Sequence, residues 1–105
     1  MKINFNTGFK NLKGEAMKDR EGKEGKDLIL YDICSNALLY NKQGVEIEGK
    51  EAVRRLRLAH KIYGTKEPIS IEAEDVVLIK ELAAKLYSTL IVGQVWELLE
   101  GEKTT

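Results

Sequence analysis

One hundred and five residues suffice for one domain with a single modest core and are too few for two. With 43% hydrophobic and 32% charged residues, the composition is that of a folded domain with a heavily charged surface, not of a disordered chain. Acidic and basic side chains cancel at 17 each, which removes any overall pull toward nucleic acid or anionic membrane, and the single cysteine, Cys34, excludes an internal disulfide and a cysteine-rich zinc site.

The chain opens "KINFN", where Ile3 and Phe5 alternate with Lys2, Asn4 and Asn6 as a half-buried strand requires. In "FKNLKGEAM", Phe9, Leu12 and Met17 surround Lys13-Gly14, and Gly14 can take the positive φ of a tight turn, so a small β-hairpin is expected over residues 1–17. Residues 18–27 are almost all charge and glycine and read as a mobile loop.

From Leu28 the period changes. An extended lead-in at 28–30 gives way to a helix over 32–40 in which Ile33, Cys34, Ala37 and Leu38 recur at helical spacing, with Asp32 near the start where a carboxylate suits the helix dipole. "NKQGVEIEG" is a loop around Gly44 and Gly49. "KEAVRRLRLAHKIYG" is the cleanest helix, closed by Gly64 in the position favoured after a helix C-terminus. Its expected apolar face is Ala52, Leu56, Ala59 and Tyr63 flanked by Val53, with Lys50, Arg54, Arg57 and Lys61 nearly opposite.

The only proline, Pro68, introduces an extended "PISIE". "EAEDVVLIKELAAKLY" is a second clear helix, with Glu72, Glu74 and Asp75 at its start and Val76, Ile79, Leu82, Ala83, Leu86 and Tyr87 as its apolar face. Continued to Leu99 it would be about 40 Å long, awkward in so small a domain. A break at Ser88-Thr89 is expected, with Ser88 as N-cap of a last helix. In that helix Ile91, Val92, Val95, Trp96, Leu98 and Leu99 share a broad arc, while Gly93, Gln94, Glu97 and Glu100 fall outside it. The predicted fold is α+β. One domain, 1–105, carries an N-terminal β-hairpin, a helical part at 28–101 with three or four short packed helices, and a tail at 102–105.

The segments "LILYDICSNALL", "AHKIYG" and "ISIEAEDVVLIKELAAKLYSTLIVGQVWELLEG" resemble a group of small phage and prophage proteins. Asp32, Ile33, Cys34, Asn36, Ala37, Leu38 and Leu39 match the first shared element, and Lys61, Ile62 and Tyr63 the second. Glu74, Asp75, Ile79, Lys80, Tyr87, Gly93, Gln94, Leu98 and Leu99 match the third. The resemblance covers roughly residues 28–101 and implies a phage origin. It carries no reaction, because the group has no assigned activity.

No residue pattern calls for an enzyme or a cofactor. His60 has no second histidine or cysteine at ligand spacing, and a surface role accounts for it. Cys34 would need His60 as its activating base, and its apolar surroundings make it a packing residue. The acidic turn 72–75 is explained by the helix dipole. No phosphate loop or nucleophile elbow occurs.

Two surfaces remain. The stripe Lys50, Arg54, Arg57, Lys61, with Arg55 at its edge, is either a solvated face answered by glutamates or an anion site for nucleic acid, a phosphorylated ligand or an acidic protein. The arc of the last helix is either core or a self-association surface, for which Ile91, Val92, Gly93, Val95, Trp96 and Leu99 are the candidates. Gly93 suggests a close approach by another group, and Trp96 an anchor. The expected function is that of a non-catalytic phage-type accessory protein. It would act through protein–protein contact, first as a homo-oligomer through the last helix and otherwise with a phage or host protein, in particle assembly or interference with a host system. The alternative function is an anion-binding module for nucleic acid or a phosphorylated small ligand on the basic helix 50–63. "MKINFNTGFKNLKG" lacks the apolar core of a signal peptide and no segment reaches the roughly 20 apolar residues of a membrane span, so the expected location is the bacterial cytoplasm, away from membrane.

Overall fold

The computed structural model describes residues 2–18, 26–40 and 46–100. The class is α+β: an N-terminal hairpin followed by four helices, α1 Leu30–Leu39, α2 Gly49–Ile62, α3 Ala73–Leu86 and α4 Thr89–Leu99. Strand β1, Lys2–Ile3, pairs antiparallel with β2, Ile69–Ser70, in the register Lys2 with Ser70 and Ile3 with Ile69. The alternating start and the extended segment after Pro68 thus complete each other across the chain.

The hairpin turns at Asn11 to Gly14, with Gly14 at φ 86° and Lys10 bridged to Ala16. The Asn11 side-chain oxygen accepts from the Lys13 and Glu15 amides at 2.9 and 3.0 Å, supplying acceptors that so short a loop lacks. Lys18 bridges Asp27, and their side chains pair at 2.6 Å. The ends of the expected charged loop are therefore joined, while its residues 19–25 lie outside the described residues, as does the tail.

Helix α1 begins at Leu30, two residues earlier than the spacing suggested. Ile29 at its N-cap has no side-chain acceptor. Instead the Phe5 and Thr7 carbonyls accept from the Tyr31 and Leu30 amides at 3.0 and 2.8 Å, so the N-terminal segment caps the helix with its own backbone. Leu30, Ile33, Cys34, Ala37 and Leu38 face inward at helical spacing. Helix α1 packs against α2 and α3, and α3 against α4. Phe5, Phe9, Leu30, Cys34, Leu38, Ile62, Ile79, Val95 and Leu99 are sealed from solvent, and each large side chain among them contributes roughly 1.5–3 kcal/mol by leaving water.

Three expectations need correction. Helix α2 buries Leu58, Ala59 and Ile62, whereas Ala52, Val53, Leu56 and Tyr63 are exposed. The helix carries two apolar stripes: the buried one is wholly aliphatic, whereas the exposed one includes the polar ends of His60 and Tyr63, and Arg55 lies beside the buried stripe, paired to Glu51 at 2.9 Å. Ser88 precedes α4 as the N-cap by position, but its side chain makes no capping bond; extended backbone at Tyr87 and Ser88 is what breaks α3 from α4. Gly93 meets no other part of the chain among the described residues, since a Cβ there would have open space.

Candidate functional site

The spacing i, i+4, i+7, i+11 puts Lys50, Arg54, Arg57 and Lys61 on one side of α2. All four line a single shallow hollow of about 400 Å³, together with Val53, Leu58 and Asp75 at the start of α3. Arg54 is committed: its guanidinium donates to Asp75 at 3.1 Å and lies 3.7 Å from Glu51. The Asp75 hydrogen bond, with the charge of Glu51 adding, pushes the Arg54 pKa up, so it stays charged. Lys50, Arg57 and Lys61 have no carboxylate within 4.0 Å among the described residues. The sequence left open whether glutamates answer this stripe. Among the described residues, carboxylates answer Arg54 and Arg55 only.

Beside the hollow, α2 exposes apolar side chains: Val53 is 47% exposed, Leu56 44% and Tyr63 62%. Tyr63 follows the helix at its C-cap and stands edge-on to Tyr31, ring centroids 5.3 Å apart. His60 is exposed on the same side. The outer face of α2 is therefore cationic along one edge and apolar beside it.

Helix α4 divides differently. Ile91, Val95 and Leu99 lie in the chain's own core, Val92 is half-buried, and only Gly93 and Trp96 of the six interface candidates are exposed. Trp96 is 43% exposed and is partly covered by Lys80, whose ammonium sits 4.6 Å from the ring centroid and pairs with Glu100 at 2.8 Å. Gln94, outside the apolar arc, has a role that periodicity could not reveal. Its oxygen accepts from the Lys10 amide and its nitrogen donates to the Lys10 carbonyl, both at 2.9 Å, so one side chain clasps the free edge of the hairpin. A carboxamide set between apolar residues was the only signal in the sequence.

The thiol and the imidazole are not assembled into a pair. Cys34 is sealed in α1, and burial pushes its thiol pKa far up, which keeps it protonated; His60 stands exposed on α2. Burial also pushes the Tyr87 phenol up, against an opposing hydrogen bond with Asn36. Among the described residues no group of three or more His, Cys, Asp or Glu could hold a metal ion, and Asp75 of the acidic turn is taken by Arg54. No described helix is long and apolar enough to cross a membrane. No protein-family model, curated protein or solved structure matches this chain.

Proposed function

We propose that this chain is a small non-catalytic accessory protein of phage type that works by protein–protein contact, and that its contact surface is the outer face of α2, which receives an acidic partner. The observation that carries this reading is the hollow beside the exposed Val53: its one lining carboxylate, Asp75, is paired with Arg54, and Lys50, Arg57 and Lys61 have none within 4.0 Å among the described residues. Cations gathered on one helix face repel one another, and an anionic partner relieves that repulsion. Rim ion pairs of this kind contribute about 0.2–1 kcal/mol each and are screened by salt, so they favour a partner that also covers apolar surface. Either particle assembly or interference with a host system, in the bacterial cytoplasm, would use such a surface. A second reading, self-association through α4, is favoured by the exposed Trp96 and the open space at Gly93, and is reduced to Val92, Gly93 and Trp96.

Fluorescence anisotropy with labelled poly-glutamate and with a labelled DNA duplex, each at two salt concentrations, tests the first reading. Poly-glutamate is expected to bind at low salt and to be released by Arg57→Glu combined with Lys61→Glu. Binding that is indifferent to this double change, or stronger to DNA than to poly-glutamate, overturns it. Sedimentation at rising concentration tests the second, and a monomer throughout removes it.

A further inference from the structure

We infer that the outer face of α2 docks an acidic amphipathic helix of a partner protein, packed lengthwise along Val53, Leu56, His60 and Tyr63 and steered by Lys50 and Arg57. The inference rests on the reading of α2 just given and adds the conformation of the partner and its register.

The spacing 53, 56, 60, 63 runs three, four, three, which is the a/d seam of a coiled coil. The seam is distinct from the inner face, where Leu58, Ala59 and Ile62 meet the core, and it stays open, with Val53 and Leu56 about half exposed. Its length from Val53 to Tyr63 is about 15 Å at helical rise, enough for three or four knobs of a facing helix. Lys50 and Arg57 then hold the flanking e positions, Arg54 and Lys61 lie one step farther out, and Ala52 on the opposite flank lets a partner backbone come close.

The charge pattern selects the occupant. An antiparallel second copy would set Lys50 and Arg57 against the same cations. A parallel second copy would set them against alanines and leave them unanswered. A helix with glutamates beside its apolar seam answers them in either direction. A phosphate backbone would answer the cations too, but would leave Val53, Leu56 and Tyr63 in water. An extended acidic peptide presents side chains at a period of two, which the three-four-three seam does not match.

The probe is a labelled synthetic peptide of three heptads with leucine at a and d and glutamate at e and g; glutamate repulsion keeps it from pairing with itself. Its partner probe has the same composition in scrambled order. By anisotropy at low salt the heptad peptide is expected to bind at least about tenfold tighter than the scrambled one. Val53→Ser with Leu56→Ser should bring the heptad peptide down to the scrambled level. Both positions are on the surface, and circular dichroism confirms that the variant is folded. Arg57→Glu should weaken both peptides. Equal binding of the two peptides overturns helix docking while leaving the acidic-partner reading intact. Binding of neither overturns both, and tighter binding of a DNA duplex than of the heptad peptide overturns docking in favour of nucleic acid.

Discussion

Gln94→Ala removes the clasp between α4 and the hairpin, and its cost can be worked out bond by bond. Lys10 pairs with Ala16 across the hairpin in a position where its own N–H and C=O point away from the partner strand. Gln94 satisfies both, each at 2.9 Å, and its nitrogen also reaches the Leu90 carbonyl of its own helix at 3.1 Å. That last bond adds little, because a helical carbonyl already has an acceptor role in the ladder. The two bonds to Lys10 would each contribute about 0.5–1.5 kcal/mol, and because Lys10 is exposed, water takes their place and the low end applies. Alanine returns roughly a few tenths of a kcal/mol of helix propensity. The net loss is about 0.5–0.8 kcal/mol, which in a domain of this size lowers the thermal midpoint by about 2–6 °C. Amide exchange gives the local readout: the Lys10 N–H should lose its protection, while Phe9 and Met17, bonded to Leu28 and Phe9 carbonyls, keep theirs. Gln94→Glu keeps the acceptor but turns an oxygen toward the Lys10 carbonyl, and should cost at least as much. An unchanged midpoint together with unchanged Lys10 exchange in Gln94→Ala would refute the reasoning.

Two glycines should respond to alanine with opposite signs. Gly93 lies inside α4 with open space at its Cβ, so Gly93→Ala is expected to raise stability by about 1 kcal/mol in urea unfolding, and a loss would show that a group outside the described residues packs there. Gly64 sits at φ 75° after α2, so Gly64→Ala should lower stability by about 1–2 kcal/mol despite equally open surroundings. The Cys34 thiol is pushed up by burial, so the folded chain keeps a proton that the unfolded chain releases above about pH 8.5. Stability is then full below that pH and falls above it by about 1.4 kcal/mol per pH unit. Urea midpoints at pH 7.5 and roughly pH 9.5 should separate for the native chain and converge for Cys34→Ala; equal separation in both would disprove the assignment.

The helices were legible because their apolar residues recur at one period: Ile33, Cys34, Ala37 and Leu38 in α1, Val76, Ile79 and Ala83 in α3, Ile91, Val95 and Leu99 in α4. Local chemistry also marked the turn at Gly14 and the helix end at Gly64. What escaped was everything decided by distant pairing. The strand "KINFN" closes on Ile69–Ser70, and no local pattern says which extended segment it will meet. Periodicity in α2 offers two stripes, and which of them meets α1 is a matter of tertiary packing: Leu58 and Ile62 go in while Val53 and Leu56 stay out. For the candidate site, the cationic side of α2 could be read from spacing, whereas its pairing state could not, because Asp75 comes from a different helix.

Surface exposure alone does not separate the two candidate surfaces, since Trp96 and Val53 are exposed to similar extents, 43% and 47%. Chemical closure does. Around Trp96 the charged groups already have their complements: the ring has the Lys80 ammonium, that ammonium has the Glu100 carboxylate, and Ile91, Val95 and Leu99 of α4 are spent on the core. A partner arriving there must break an existing ion pair or leave it buried, and burying a charge pair returns little against an apolar replacement. Around Val53 only Arg54 has its complement, in Asp75 and Glu51. Lys50, Arg57 and Lys61 have no carboxylate within 4.0 Å among the described residues, and Leu56 is 44% exposed. A partner that supplies both acidic and apolar groups gains on each without displacing an existing pair. This difference in unfinished chemistry is the reason for proposing α2, not α4, as the contact surface.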